Sequence, residues 1–140
     1  MSEKNVSVDH IGIATKSLAE SEVFWKMLGF VQELDDEIVS EQGVKVRYLS
    51  SPALSSESTR IELLEPTAED TPIGKFLAKR GPGVQQICIR VDDLESTLNY
   101  LDKEGVELID KKPKIGANGA LIAFVHPKST GGVLVELCEH

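Results

Sequence analysis

The feature that most constrains this chain is that it repeats itself. Val8-Asp9-His10-Ile11-Gly12-Ile13 aligns with Val84-Gln85-Gln86-Ile87-Cys88-Ile89 at an offset of 76 residues. The same offset carries Ser17 onto Asp93, Leu18 onto Leu94, Gly29 onto Gly105, Gly43 onto Gly119 and Tyr48 onto Phe124. Arg60-Ile61-Glu62-Leu63-Leu64-Glu65 then matches Leu134-Val135-Glu136-Leu137-Cys138-Glu139 at an offset of 74, so the second copy is two residues shorter between its last two strands. Identities are few; the shared order of strand, cap and turn features carries the match. A period of this length means one supersecondary unit laid down twice.

Each copy reads the same way. Near-alternating apolar residues predict an opening strand over Val6 to Thr15 and again over Val84 to Val91. A helix follows. Ser17-Leu18-Ala19-Glu20 fits a capping box, Ala19, Val23 and Met27 with Phe24 and Leu28 form the expected buried stripe, and Gly29 stops the helix. Trp25, Phe24 and Phe30 read as helix core. In the second copy Asp93 caps, Leu94, Leu98 and Leu101 make the stripe, and Gly105 stops it. Three strands are then expected in each copy: Gln32–Ile38, Val44–Leu49 and Thr59–Leu64, then Glu107–Ile109, Ala120–His126 and Gly132–Cys138. The architecture is α+β: two tandem βαβββ modules, residues 6–66 and 84–139, packed about a pseudo-dyad into one cleft-bearing domain. Residues 67–83 form a helical linker, in which Thr71 caps, Pro72 takes the first helical position, and Ile73, Phe76 and Leu77 face inward. Gly81-Pro82-Gly83 turns the chain into the second module.

Length supports a single domain made of both copies. At 140 residues a chain can bury roughly 68% of its unfolded surface, whereas either half alone has too little apolar area for a secure core. Fifteen Lys and Arg against 23 Asp and Glu leave a net charge of −8, which argues against a general nucleic-acid binder. The longest apolar runs fall short of a membrane span, and the N-terminal stretch lacks a basic-then-apolar signal. Cys88 and Cys138 lie in apolar runs without metal spacing and read as reduced core thiols. A cytoplasmic address follows.

Four polar residues interrupt apolar strands at repeat-equivalent places: His10 with Gln86, and Glu62 with Glu136. An imidazole nitrogen, an amide oxygen and two carboxylates suit a divalent cation and would balance its charge. Taken singly, each has an ordinary reading as a hydrogen-bonded or solvent-facing strand residue. Their matched placement is what marks them as candidates for one site.

Several stretches resemble the methylmalonyl-CoA epimerase family of the vicinal oxygen chelate superfamily. They are Asp9-His10-Ile11-Gly12-Ile13-Ala14, Phe24-Trp25-Lys26-Met27-Leu28-Gly29-Phe30, Glu41-Gln42-Gly43-Val44 and Ile61-Glu62-Leu63-Leu64-Glu65-Pro66. Lys114-Ile115-Gly116-Ala117 and the segment from His126 through Gly131-Gly132 to Leu137 extend the likeness. The resemblance implies metal ligands at His10, Glu62, Gln86 and Glu136 and a catalytic carboxylate at Glu41. It departs from the family at Gly83-Val84-Gln85-Gln86-Ile87, where the family reads Gly-x-His-His-Ile. Gln86 thus replaces a histidine ligand, giving one nitrogen and three oxygens, a harder set. Cobalt is the expected ion, with manganese, magnesium, nickel or zinc as alternatives.

The family chemistry needs one base on each face of an acidic carbon, and Glu41 and Glu136 are the candidates. From its residues alone, Ser40-Glu41-Gln42-Gly43 also reads as an exposed hairpin turn. Lys111, Lys112, Lys114 and Lys128 are candidates for acyl-CoA phosphates, and Gly116 and Ala117 for backbone contact with the substrate carboxylate. His126 and His140 read as structural, His140 as a frayed end. The superfamily's habit implies a homodimer. Two other readings stay open: another enzyme of the superfamily, such as a lactoylglutathione lyase-like isomerase or a different acyl-CoA epimerase, and a non-catalytic small-ligand binding module.

Overall fold

In a computed structural model, residues 5–52 and 58–140 are described. The first four residues, part of the stretch read above as lacking a signal, lie outside that range, as do 53–57 within the expected first module. Contacts divide the chain into two compact units. Among the described residues, one comprises those within 10–85; the other comprises residues 5–9 with 86–140.

The first unit is built on β1 (Ser7–Ala14) from His10 onward, α1 (Leu18–Met27), β2 (Glu37–Val39), β3 (Val44–Leu49) and β4 (Arg60–Pro66), followed by α2 (Pro72–Arg80). Its strands lie in the order β2-β3-β4-β1. β1 runs parallel to β4, and the other neighbours are antiparallel. The second unit is built on β5 (Gly83–Arg90), α3 (Leu94–Lys103), β6 (Lys114–Ile115), β7 (Leu121–Val125) and β8 (Val135–Glu139). Its order, β5-β8-β7-β6, reproduces the first with a parallel β5/β8 pair and antiparallel neighbours. The twice-written βαβββ pattern is therefore an α+β fold of the expected kind. Among the described residues no helix is long and apolar enough to cross a membrane.

Both opening helices start as the caps predict. Ser17 Oγ accepts the Glu20 N–H at 3.2 Å and Asp93 Oδ1 accepts the Ser96 N–H at 3.0 Å. A second carboxylate, from the last strand of each unit, reaches the same helix ends. Glu65 Oε1 accepts the Leu18 N–H at 3.2 Å, and its repeat partner Glu139 accepts the Leu94 N–H at 2.7 Å. Each places negative charge at a helix N-terminus, where orphan donors and the helix dipole favour it.

The core of the second unit is the predicted one: Leu94 and Leu98 of α3 are buried against Ala123, Val125 and Leu137, with Leu101 partly covered. The first helix differs from expectation. Ala19, Val23, Phe24, Met27 and Leu28 point outward, Met27 being 79% exposed. Leu18 is buried, and Trp25 packs with Phe30 onto Leu49, Ile61 and Leu63. Trp25 and Phe30 meet edge to face at 5.8 Å, so two of the three aromatic residues are core and Phe24 is not. A helix apolar on both sides buries whichever row fits the sheet; here the row of Leu18 and Trp25, seven residues apart, wins.

Two strands depart most from the prediction. Gln32–Ile38 contracts to Glu37–Val39, because Asp36 is drawn off by Arg47, whose Nε and Nη2 meet its two oxygens at 2.8 and 2.7 Å. Glu107–Ile109 meets the strand β7 and its end through a Leu108–Val125 bridge, the Ile109 N–H and the Glu107 carbonyl, which accepts the His126 N–H at 3.0 Å; Asp110 Oδ2 then takes the Phe124 N–H at 2.8 Å. The edge strand begins later, at Lys114.

Candidate metal and acid-base residues

The four matched polar residues are buried, and they form two like pairs. In the first unit His10 Nδ1 lies 3.0 Å from Glu62 Oε2. In the second, Gln86 Nε2 donates to Glu136 Oε1 at 3.0 Å. His10 and Glu62 are 6% and 3% exposed, Gln86 and Glu136 8% and 5%. Topology explains the likeness. Glu62 sits opposite Gly12, two residues beyond His10, and Glu136 opposite Cys88, two beyond Gln86. Residues two apart on a strand share a face, so each pair is the same diagonal across a parallel ladder. Each diagonal offers one imidazole or amide side chain beside one carboxyl group held away from water. That is a donor set suited to a hard or borderline divalent cation.

Glu62 carries a further partner. Arg60 Nη2 lies 3.3 Å from the same Oε2, and the Arg60 guanidinium carbon stands 5.3 Å from the ring centroid of Tyr48. Tyr48 donates from its hydroxyl to Glu37 Oε1 at 2.5 Å. Burial and that hydrogen bond push the Tyr48 hydroxyl well above the usual tyrosine range, so it remains a donor at any physiological pH. Sequence reading missed Arg60, Tyr48 and Glu37 here. The signal was a mismatch in the repeat: their second-copy counterparts Leu134 and Phe124 are apolar where Arg60 and Tyr48 are not.

Glu41 stands exposed on a short 3-10 turn, Ser40–Gln42, that joins β2 to β3. Gly43 closes the turn with φ +63, and a Cβ there would lie 2.3 Å from Thr71 Cγ2. The turn is thus fixed beside the N-cap of α2 by a residue that only glycine can supply. Lys114 on β6 pairs with Asp110 at 3.2 Å. Gly116 is buried, its N–H held by the Ala120 carbonyl at 2.8 Å, and a Cβ would meet Ile122 at 2.6 Å. Ala117 begins a 3-10 turn in which Asn118 adopts a left-handed conformation. Lys128 is exposed on a third such turn, its N–H received by His126 Nδ1 at 3.0 Å. Lys111 and Lys112 are exposed. His140 is better anchored than a frayed end, with Nε2 3.2 Å from Asp9 Oδ1. Arg90 Nη2 reaches the same oxygen at 2.8 Å. Cys88 and Cys138 are free and buried; the neighbouring Cys138 thiol and burial push the Cys88 thiol far up, so Cys88 reads as inert core.

Comparison with known proteins decides the family. The model of the Glyoxalase/Bleomycin resistance protein/Dioxygenase superfamily matches residues 9–124. The mitochondrial methylmalonyl-CoA epimerase of Dictyostelium discoideum is 40% identical over 134 residues, covering 94% of this chain and 77% of its own. The chain belongs to this superfamily and, within it, to the methylmalonyl-CoA epimerase family. It is accordingly an enzyme of the isomerase class. An uncharacterized protein of Bacillus subtilis, YqjC, is also 40% identical, over 132 residues, covering 94% of this chain and 91% of its own. A solved methylmalonyl-CoA epimerase in complex with methylmalonyl-CoA and NH4+ superposes with a TM-score of 0.87 at 36% identity, over 94% of this chain and 92% of that one.

Proposed function

We propose that this enzyme interconverts (R)- and (S)-methylmalonyl-CoA by exchanging the α-proton between two carboxylates, with a divalent cation held by His10, Glu62, Gln86 and Glu136. The observation that carries the reading is the pairing of buried donors on equivalent diagonals, His10 with Glu62 and Gln86 with Glu136, in a chain of the epimerase family. A bound divalent cation supplies Lewis acidity toward the substrate's carbonyl and carboxylate oxygens, worth several kcal/mol in stabilising developing negative charge. Cobalt is the ion we expect, with manganese, magnesium, nickel and zinc as alternatives; three oxygens and one nitrogen weaken the preference for zinc.

The chain's own groups handle the proton. In one direction the Glu41 carboxylate takes it from the carbon between thioester and carboxylate, and Glu136 delivers one to the opposite face. In the other direction the roles reverse. A positioned acid or base contributes about 10²–10⁴-fold to such a transfer. Exposure of Glu41 on its turn lets it exchange the captured proton with solvent. Lys114, Gly116, Ala117 and Lys128 bind the substrate in this reading: the lysines supply positive charge on a chain of net charge −8, while Gly116, whose missing side chain makes room for Ile122, shapes the loop that presents Ala117. We further propose a cytoplasmic homodimer; two buried free thiols accord with a reducing compartment.

The test is proton exchange. Protein loaded with Co2+ and incubated with methylmalonyl-CoA in D2O should place deuterium at the α-carbon, followed by NMR. No exchange with any of the five metals would reject the epimerase reading.

A further inference from the structure

The two units carry the same donor diagonal, and in the first an arginine braces it. In the first, Glu62 Oε2 is engaged by His10 Nδ1 at 3.0 Å and by Arg60 Nη2 at 3.3 Å. Arg60 is itself seated over the Tyr48 ring, and Tyr48 is tied through its hydroxyl to Glu37. Register makes this a compact group: His10 lies opposite Arg60 across β1 and β4, and Tyr48 opposite Glu62 across β3 and β4. Glu37, Tyr48, Arg60, Glu62 and His10 thus form a chain of contacts across all four strands of the unit. At the corresponding places of the second unit, Phe124 lies opposite Glu136 and Leu134 stands where Arg60 would be, so neither residue type repeats the arrangement.

We infer that Arg60 is a positioning residue for the carboxylate of Glu62, held in place by Tyr48 and Glu37, and that it readies this carboxylate for the cation. The inference rests on the metal reading given above. A guanidinium fork is suited to the role, because it can bond a carboxylate and stack on an aromatic face at once. Side chains that orient metal-binding groups typically matter 10–100-fold for metal affinity. A second effect has the opposite sign: a fixed positive charge near a cation repels it, so deleting that charge would by itself tighten binding. The direction of change therefore separates a positioning role from mere proximity.

The experiment is titration of the full-length protein with Co2+, read by the visible absorption of the bound ion, for the parent and for Arg60→Met, Arg60→Lys and Tyr48→Phe, with circular dichroism to verify folding. Arg60→Met should weaken Co2+ binding by about 10-fold or more. Arg60→Lys, which keeps one donor for Glu62 but loses the fork, should recover part of that loss, and Tyr48→Phe should weaken binding by a smaller factor through loss of the hydroxyl bond to Glu37. Binding by Arg60→Met as tight as the parent's, or tighter, overturns the inference. If Arg60→Met does not fold, the other two variants decide, and unchanged affinity in both overturns it. A parent protein that takes up no Co2+ instead overturns the metal reading, and the assignment of Arg60 with it.

Discussion

Glu139 Oε1 accepts the backbone N–H of Leu94 at 2.7 Å, tying the last strand of the second unit to the first turn of its helix. Asp93 already caps that helix from within the chain, so two carboxylates serve one N-terminus. Replacing Glu139 by Ala should cost about 1 kcal/mol, as loss of a cap does, and lower the melting temperature by roughly 3 °C. Differential scanning calorimetry would measure it, and an unchanged melting temperature would refute the capping role.

Asp36 gives a pH-dependent signature. The Arg47 hydrogen bond, opposed by burial, holds its carboxyl below the ordinary value of 3.8. The folded state therefore binds this proton less readily than the unfolded state. The resulting stabilisation is full above the unfolded value and disappears as pH falls through the folded one. Asp36→Asn should be destabilised by about 1–2 kcal/mol at pH 7, since the pair is bidentate and mostly buried. The gap from the parent should narrow below about pH 4. Urea midpoints at pH 7 and pH 3 would show it; a gap constant with pH would dissociate the effect from this carboxylate.

Glu41→Gln should reduce α-proton exchange by about 10² or more while leaving Co2+ affinity as it is, because the residue is proposed as a base and not as a ligand. Deuterium incorporation and the cobalt titration, run on the same preparation, separate the two properties. Normal exchange in the variant would remove Glu41 from the mechanism without touching the fold.

Glu136 is proposed for both tasks, so its amide variant should behave differently. Glu136→Gln should lose exchange and also weaken Co2+ binding by about 10-fold. Isothermal titration would record the second loss. Retained affinity would mean that Glu136 is not among the ligands.

The repeat explains why so much of this arrangement was legible beforehand. Aligning the copies placed His10 with Gln86 and Glu62 with Glu136, and equal position in the strand order turned that alignment into equal hydrogen-bonded diagonals. The same alignment listed Glu65 beside Glu139 yet did not disclose their capping role, because a strand-terminal glutamate looks solvent-facing until the strand end is seen to meet a helix start. Arg60 was hidden for a related reason: its counterpart Leu134 is apolar, so the match was read for its shared hydrophobicity and the discordant charge was passed over. In α1 the difficulty was ambiguity. Ala19, Val23 and Met27 are as regularly spaced as Leu18 and Trp25, and periodicity alone does not choose between two apolar rows. The short edge strands failed to match because Asp36 and Asp110 bond through their side chains where a ladder was expected.

The grouping of residues 5–9 with the second unit bears on any attempt to divide the gene. A cut at Gly81-Pro82-Gly83 respects the duplication but strips the C-terminal fragment of Asp9, the anion that Arg90 and His140 both engage. That fragment would keep Arg90 and His140 without the carboxylate they share. A split that follows the ancestral boundary is thus a poor one for refolding, and circular permutants that keep the opening strand covalently joined to the second repeat would be better starting points.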